Sequence, residues 1–240
     1  GLLMILNTVG GEKWQTAGQW VTYKFTVNKS GMYDIVSRYR QNILDGMYTC
    51  RSLYIYSEGL EPGADGYYNG APFEEARRLQ FNYSSEWQSG VLTDGEQEFE
   101  FFFKAGVKYT LRFEVSLGAM GDIVRRVQVA LNEVNGCYLN ILKLTGATPD
   151  EFRDYGFYRV MPDTMNNLVI QANELENIAE EIVEIAGEKS SMTATHEKIV
   201  RLLRRMSDQD EVAKNLEQLK TYIGSLGTWL GDAKTQPLTL

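Results

Sequence analysis

The chain has 240 residues, with 32 Asp and Glu against 24 Lys and Arg, and a net charge of −8. Its apolar and charged fractions, 43% and 23%, describe a folded protein rather than a disordered one. The acidic balance excludes a nucleic-acid binder, which needs a basic stripe to displace counterions, and disfavours docking on an anionic membrane.

Residues 1–7, "GLLMILN", are too short for the apolar core of a signal peptide and lack a basic flank. Gly1 is expected to be a scar of tag cleavage, with any export signal already removed. No apolar run reaches the ~18 residues that a membrane-spanning helix needs.

Period-two alternation begins at "WVTYKFTVN", where Val21, Tyr23, Phe25 and Val27 alternate with Thr22, Lys24 and Thr26, and predicts a half-buried strand. "NKSG" supplies turn formers. A second strand follows in "SGMYDIVSRYRQN", with Tyr33, Ile35, Ser37 and Tyr39 on one face. Arg38–Asn42 is expected at the rim where the sheet ends. "CRSLYIY" predicts a third strand. "EFEFFFKAGVKYTLRFEVSLG" predicts two more, joined at "KAG" as a hairpin. Between them, "SEGLEPGADGYYNGAPF" is a Gly- and Pro-rich excursion over 57–72. Short strands, turn-rich connections and many aromatics predict an antiparallel sandwich over 1–118.

From residue 119 the period becomes helical. Val124, Val127, Leu131, Val134, Tyr138 and Ile141 step by three and four along one face. After Pro162, Asp163 is expected to cap a helix carrying Met165, Leu168, Ala172, Leu175, Ile178 and Ile182, with Gly187 as its stop. A third helix runs through Ile199, Leu202, Leu203 and Met206. "SDQDE" then caps a fourth, with Val212, Leu216, Leu219, Ile223 and Leu226. The reading over 119–235 is a bundle of about four helices, and the fold class is α+β with two domains. The tail "QPLTL", 236–240, returns to alternation. If it pairs with the sheet, the bundle is an insertion ahead of a last strand.

Reactive constellations are scarce. There is no GxSxG elbow and no P-loop, and "GAMGD" opens no strand–loop–helix unit. His196, the single histidine, lies in "TATHEKIVRLLRR" and is expected to be solvated, so neither a triad nor a His-based zinc site is predicted. Glu98 and Glu100 alternate with Phe99 and Phe101, as on the wet face of an edge strand, and adjacent Glu74 and Glu75 would diverge on a strand. Neither pair suits a glycosidase. The glutamates from Glu174 to Glu188 read as a solvated helix face. The basic patches "RRL" (77–79) and "RLLRR" (201–205) are expected to pair with it. Cys50 and Cys137 are too few for a disulfide scaffold; they either pair or stand as small buried hydrophobes, and the second reading is favoured. No catalytic residue, metal or cofactor is predicted.

What remains is aromatic and planar-polar. Trp14, Trp20, Tyr48, Tyr67, Tyr68 and Trp87 fall in or near predicted loops, and Arg38, Arg40, Gln41, Asn42 and Arg51 at strand ends. Sugar recognition uses such a mixture, because aromatic rings cover the C–H face of a pyranose while amides and guanidinium groups hold its hydroxyls. The candidate ligand residues are therefore Trp14, Arg38, Arg40, Gln41, Asn42, Tyr48, Arg51 and Trp87. In the opposing reading the aromatics plug a core and the arginines pair with local carboxylates.

"GQWVTYKFTVNKSGMYDIVSRYRQN" resembles the start of galactose-binding-like sandwich modules at Trp20, Tyr23, Ser30, Gly31, Tyr33, Ile35, Arg38, Tyr39 and Asn42. "FFFKAGVKYTLRFEV" resembles their later hairpin, with its turn at Ala105-Gly106 and its strand at Tyr109-Thr110-Leu111. The ordered series "NTVGGEKWQTAGQW", "RYRQN", "PFEEARRLQFNYSSEWQ", "LKLTGATPDEFRDY" and "LGTWL…QPL" resembles a module of large extracellular solute-binding proteins of ABC transporters from Gram-positive bacteria. This resemblance implies export and lipid anchoring through regions outside this chain. It also implies an indirect partnership with the permease and contact with other domains of a longer chain. The family's usual acidic first strand is not recognisable before Asn7, its last strand would be cut at Leu240, and the excursion replaces a short Asp-Gly turn. Three functions stand open: a sugar-binding accessory module, a purely structural interaction module, and a hydrolase fragment.

Overall fold

The computed structural model describes residues 8–240. The readings made for the first seven residues, and the missing first strand, lie outside them. The chain divides into two units: residues up to Met120 together with Lys234–Leu240, and Gly121–Ala233.

The first unit is built from antiparallel strands. β1 (Trp20–Phe25), β4 (Tyr48–Ser57), β5 (Asn69–Gly70), β6 (Leu79–Asn82) and β9 (Tyr109–Ser116) form one sheet in the order β1-β9-β4-β5, with β6 also on β4. β2 (Gly31–Asp34) pairs with β8 (Glu100–Phe103), and β3 (Val36–Tyr39) with β7 (Gln88–Val91). Ile35, between β2 and β3, accepts from the Leu92 amide at 3.0 Å, which links the two pairs. Alternation explains the packing. Every second residue of β9, from Tyr109 to Val115, is buried, and Phe99, Phe101 and Phe103 repeat the pattern opposite. Phe103 meets Phe25 at 4.9 Å and Tyr109 at 4.7 Å, and Tyr39 meets Phe81 at 5.0 Å, so the two strand layers share one aromatic core.

The "KAG" segment is not a hairpin turn. β8 pairs with β2, whereas β9 pairs with β1 and β4, so the turn carries the chain from one layer to the other. It is fastened to the earlier "NKSG" turn instead: Ala105 N–H donates to Ser30 Oγ at 2.9 Å and Gly106 N–H to the Val27 carbonyl at 3.0 Å. The excursion folds back onto the same core, with Tyr109 OH donating to the Gly66 carbonyl at 3.0 Å and the Tyr68 ring 6.0 Å from Phe103. Gln236–Leu240 is extended beside Val9 and Arg40. Thr239 bridges both Gly10 and Arg40, and the Val9 and Leu240 amides exchange bonds of 3.0 and 2.9 Å. Gly10 is obligatory there, since a Cβ would lie 2.2 Å from the Leu238 carbonyl oxygen.

The second unit contains α1 (Met120–Thr145), α2 (Phe157–Val160), α3 (Pro162–Ala186), α4 (Ser191–Met206) and α5 (Val212–Ala233). α2 is a single turn; the four long helices form the bundle. Ile123, Val127, Val134, Ile141, Leu168, Leu175, Ile178, Ile182, Ile199, Leu203 and Leu219 are fully enclosed, as the 3.6-residue period requires. Gly187 closes α3 in the left-handed conformation at φ 78°, and Asp208 and Ser190 cap the following helical starts through their side chains. Asp163 is not a cap. Pro162 already occupies the first helical turn, where its missing N–H costs nothing, and the preceding residue is Met161.

His196 is the clearest departure from the sequence reading. It is fully buried rather than solvated, its ring edge-on to Trp229 at 4.4 Å, and among the described residues neither ring nitrogen has a hydrogen-bond partner. Burial lowers its pKa to about 4, so the ring is neutral at pH 7. The ion-pair expectation holds for Arg204, which pairs with Glu176, but not for Arg77, which meets its own neighbour Glu74. Both cysteines are buried free thiols.

Candidate functional site

The eight residues singled out from the sequence separate into two groups. Trp14, Gln41, Tyr48 and Arg51 are buried, a correction to their reading as candidate ligand residues in loops, at strand ends and, for Gln41, at the rim. Gln41 organises the loop after β3: its side-chain oxygen accepts from the Ile43 and Leu44 amides, and its amide donates to the Leu44 and Met47 carbonyls. Tyr48 opens β4, opposite Asn82 of β6, and burial pushes its pKa up to about 12.

Arg51 is buried, and among the described residues no carboxylate comes within ion-pair distance of it. Its guanidinium donates to the carbonyls of Cys50 (2.8 Å), Trp14 (2.9 Å) and Gln236 (2.9 Å) and lies 4.0 Å from the Trp14 ring centroid. Burial draws its pKa down to about 9, which leaves it charged at neutral pH. Three carbonyl dipoles and an aromatic face replace the missing counter-ion.

Arg38, Arg40 and Trp87 do converge. β3 and β7 set Arg38 opposite Ser89 and Tyr39 opposite Gln88, and the Tyr39 hydroxyl donates to Gln88 Oε1 at 2.8 Å. That register brings both guanidinium groups over the Trp87 ring, Arg38 at 5.4 Å and Arg40 at 5.3 Å from its centroid. Asn42 is exposed beyond them and makes no side-chain bond to a described residue.

Arg38 also lines a cleft of about 280 Å³ where the two strand layers part. Leu111, Phe113 and Tyr23 form one wall and Ile35, Val36 and Ser37 the other, with Leu240 at the end. Tyr23 is 41% exposed despite its inward position. The cleft thus offers apolar walls with three polar groups at its mouth, a guanidinium, a phenol and a hydroxyl.

One feature escaped the sequence reading. On the outer face of the large sheet, Arg112 stands beside Thr22 and Tyr54, and Glu114 beside Trp20 and Ser52. Arg112 pairs with Glu114 and stacks over Trp20 at 4.3 Å and Tyr54 at 5.6 Å, while Trp20 remains 57% exposed. Alternation alone marks these residues as outward-facing; their clustering needs the order of β1, β9 and β4.

Among the described residues, no three His, Cys, Asp or Glu side chains gather as metal ligands, and no helix is long and apolar enough to cross a membrane. Residues 122–236 match the family described as bacterial solute-binding protein, 4-helix bundle domain. The helical unit is therefore a bundle of the kind associated with solute-binding proteins. No curated protein matches the chain.

Proposed function

We propose that this chain is a non-catalytic accessory module of a cell-surface solute-binding protein of an ABC transporter. In this reading the strand unit is a galactose-binding-like sandwich that holds a saccharide, and the bundle is inserted ahead of its last strand. Its partners are a carbohydrate, the other domains of a longer chain and, through them, the permease. Its place is outside the cell, anchored by regions beyond this chain. The observation that carries the proposal is the match of residues 122–236 to the solute-binding-protein bundle. The cleft bordered by Tyr23, Arg38 and Phe113, beside Trp87, supports the saccharide part. A glycan array probed with the wild-type chain and with Trp87→Ala tests it. The expected result is a defined set of bound glycans that Trp87→Ala loses; an array with no bound glycan contradicts the saccharide reading.

A second reading has its own observation. Exposed Trp20 with Arg112 and Tyr54 is the aromatic and arginine mixture of a protein-docking hot spot. It supports a module that positions neighbouring domains and binds no glycan.

A further inference from the structure

Lys198, Arg201 and Arg205 are spaced three and four residues apart on α4, so they share one face of the helix. Asn215, Gln218 and Tyr222 repeat that spacing on α5. The two helices run antiparallel, since the Trp229 indole near the end of α5 donates to the Met192 carbonyl near the start of α4 at 2.8 Å. Between the two rows lies a cleft of about 330 Å³, lined also by Leu202, and among the described residues no carboxylate lines it.

Other cations of the bundle, Lys143, Arg153, Arg159 and Lys220, also have no ion pair among the described residues; what sets the cleft apart is three such cations in one row, whereas several of their neighbours are paired. Arg126 is held by Glu174 and Glu181, Arg204 by Glu176, Lys189 by Glu197 and Lys214 by Glu211. Among the described residues, no carboxylate comes within ion-pair distance of Lys198, Arg201 or Arg205; Arg201 donates to the Glu197 backbone carbonyl at 3.2 Å. Three cations on one face repel one another, a cost the fold carries although the chain holds 32 acidic residues. An anion in the cleft removes that cost.

The shape of the row narrows the class of anion. From Lys198 to Arg205 is about 10 Å along the helix, longer than a lone phosphate or carboxylate and suited to repeated negative charge. The facing row is uncharged. The Asn215 amide nitrogen is committed to Glu211, at 2.7 Å from its carbonyl and 3.2 Å from its carboxylate, itself paired with Lys214, which leaves the Asn215 oxygen as an acceptor beside the Gln218 amide and the half-buried Tyr222 ring. Cations on one wall, with amides and a phenol on the other, match a ligand bearing carboxylates on one edge and hydroxyls on the other.

We propose that the α4–α5 cleft binds an acidic oligosaccharide of uronate type. Its carboxylates meet Lys198, Arg201 and Arg205, and its hydroxyls meet Asn215 and Gln218. The site lies within the helical unit and stands whether or not the strand unit binds a sugar.

Calorimetric titration of the whole chain with trigalacturonate tests the proposal, with neutral galactotriose and a triglutamate peptide as the other arms. Trigalacturonate is expected to bind, more weakly as salt is added, and galactotriose is not. Arg201→Gln and Arg205→Gln each weaken binding about tenfold, while Lys143→Gln, at an exposed cation of α1 away from the cleft, leaves it unchanged. Because both arginines are exposed, the variants keep the wild-type helical signal in circular dichroism. Three results overturn the proposal: no heat with trigalacturonate, unchanged affinity in both arginine variants, or equal binding of triglutamate, which assigns the cleft to an acidic protein segment.

Discussion

Arg51 and Gln236 lie 185 residues apart in sequence, and the Arg51 guanidinium donates to the Gln236 carbonyl at 2.9 Å inside the strand unit. The Gln236 side chain returns the contact, its Oε1 accepting from the Cys50 amide at 2.9 Å. The chain leaves this unit for the helices and comes back to a position fixed by one residue of β4.

Breaking that node is expected to be costly. Arg51→Met removes the donors for the Trp14 and Gln236 carbonyls and leaves both buried groups unpaired, a loss of about 2–4 kcal/mol. Arg51→Lys keeps the charge but not the planar fork, and it recovers only part of the loss. Urea unfolding followed by tryptophan fluorescence measures both.

Gly118 sits at φ 54°, where a Cβ would lie 2.3 Å from Cys50 Sγ. Gly118→Ala therefore combines a left-handed conformation, about 1–2 kcal/mol, with a steric clash. Cys50→Ala in the same chain removes the Sγ contact but keeps its own Cβ at 3.0 Å and leaves the conformation unchanged, so the double variant recovers part of the lost stability. A double-mutant cycle of unfolding free energies separates the two contributions.

The thiols should be silent in the folded chain. Burial pushes the pKa of Cys50 up to about 12 and of Cys137 up to about 11, so neither supplies thiolate at pH 8. Ellman's reagent is expected to find almost no reactive thiol in the native chain and both thiols in denaturant.

His196 makes the bundle acid-sensitive. Its folded pKa, about 4, lies below the ordinary 6.5, so the unfolded chain takes up a proton first as the pH falls. The stabilising difference is complete above pH 6.5 and is lost as the pH drops through that value towards 4, by up to about 3 kcal/mol. His196→Phe is expected to lose less stability than wild type between pH 7 and pH 4.5, read by urea unfolding in far-ultraviolet circular dichroism. Parallel losses in the two chains contradict this.

The change of hydrophobic period near residue 119 made both secondary-structure classes legible, because burial on one face leaves a local repeat. β7 was not legible, since "QSGV" carries no alternation, and β6 is only four residues long. The partners of the "KAG" turn were misread because hairpin and cross-layer turns share the same Gly chemistry. Trp14 reads as a loop residue, and Arg51 as a strand-end residue because a charged strand residue is normally solvated; two of the three carbonyls that satisfy Arg51, from Trp14 and Gln236, come from far away in sequence and leave no local trace. His196 misled in the same way, its polar neighbours hiding the enclosed Trp229 face. Of the candidate site residues, Arg38, Arg40 and Trp87 were legible as a strand end and a nearby aromatic, whereas Tyr23 and the cleft wall needed both layers.

The saccharide reading and the docking reading place function on different faces of the strand unit, so one paired titration separates them. A glycan bound by the array should be titrated into wild type, Arg38→Ala and Trp20→Ala. Arg38→Ala is expected to weaken binding by about 1–2 kcal/mol while Trp20→Ala leaves it unchanged. Unchanged affinity in Arg38→Ala, or loss of binding in Trp20→Ala alone, would contradict a sugar site in the cleft beside Arg38.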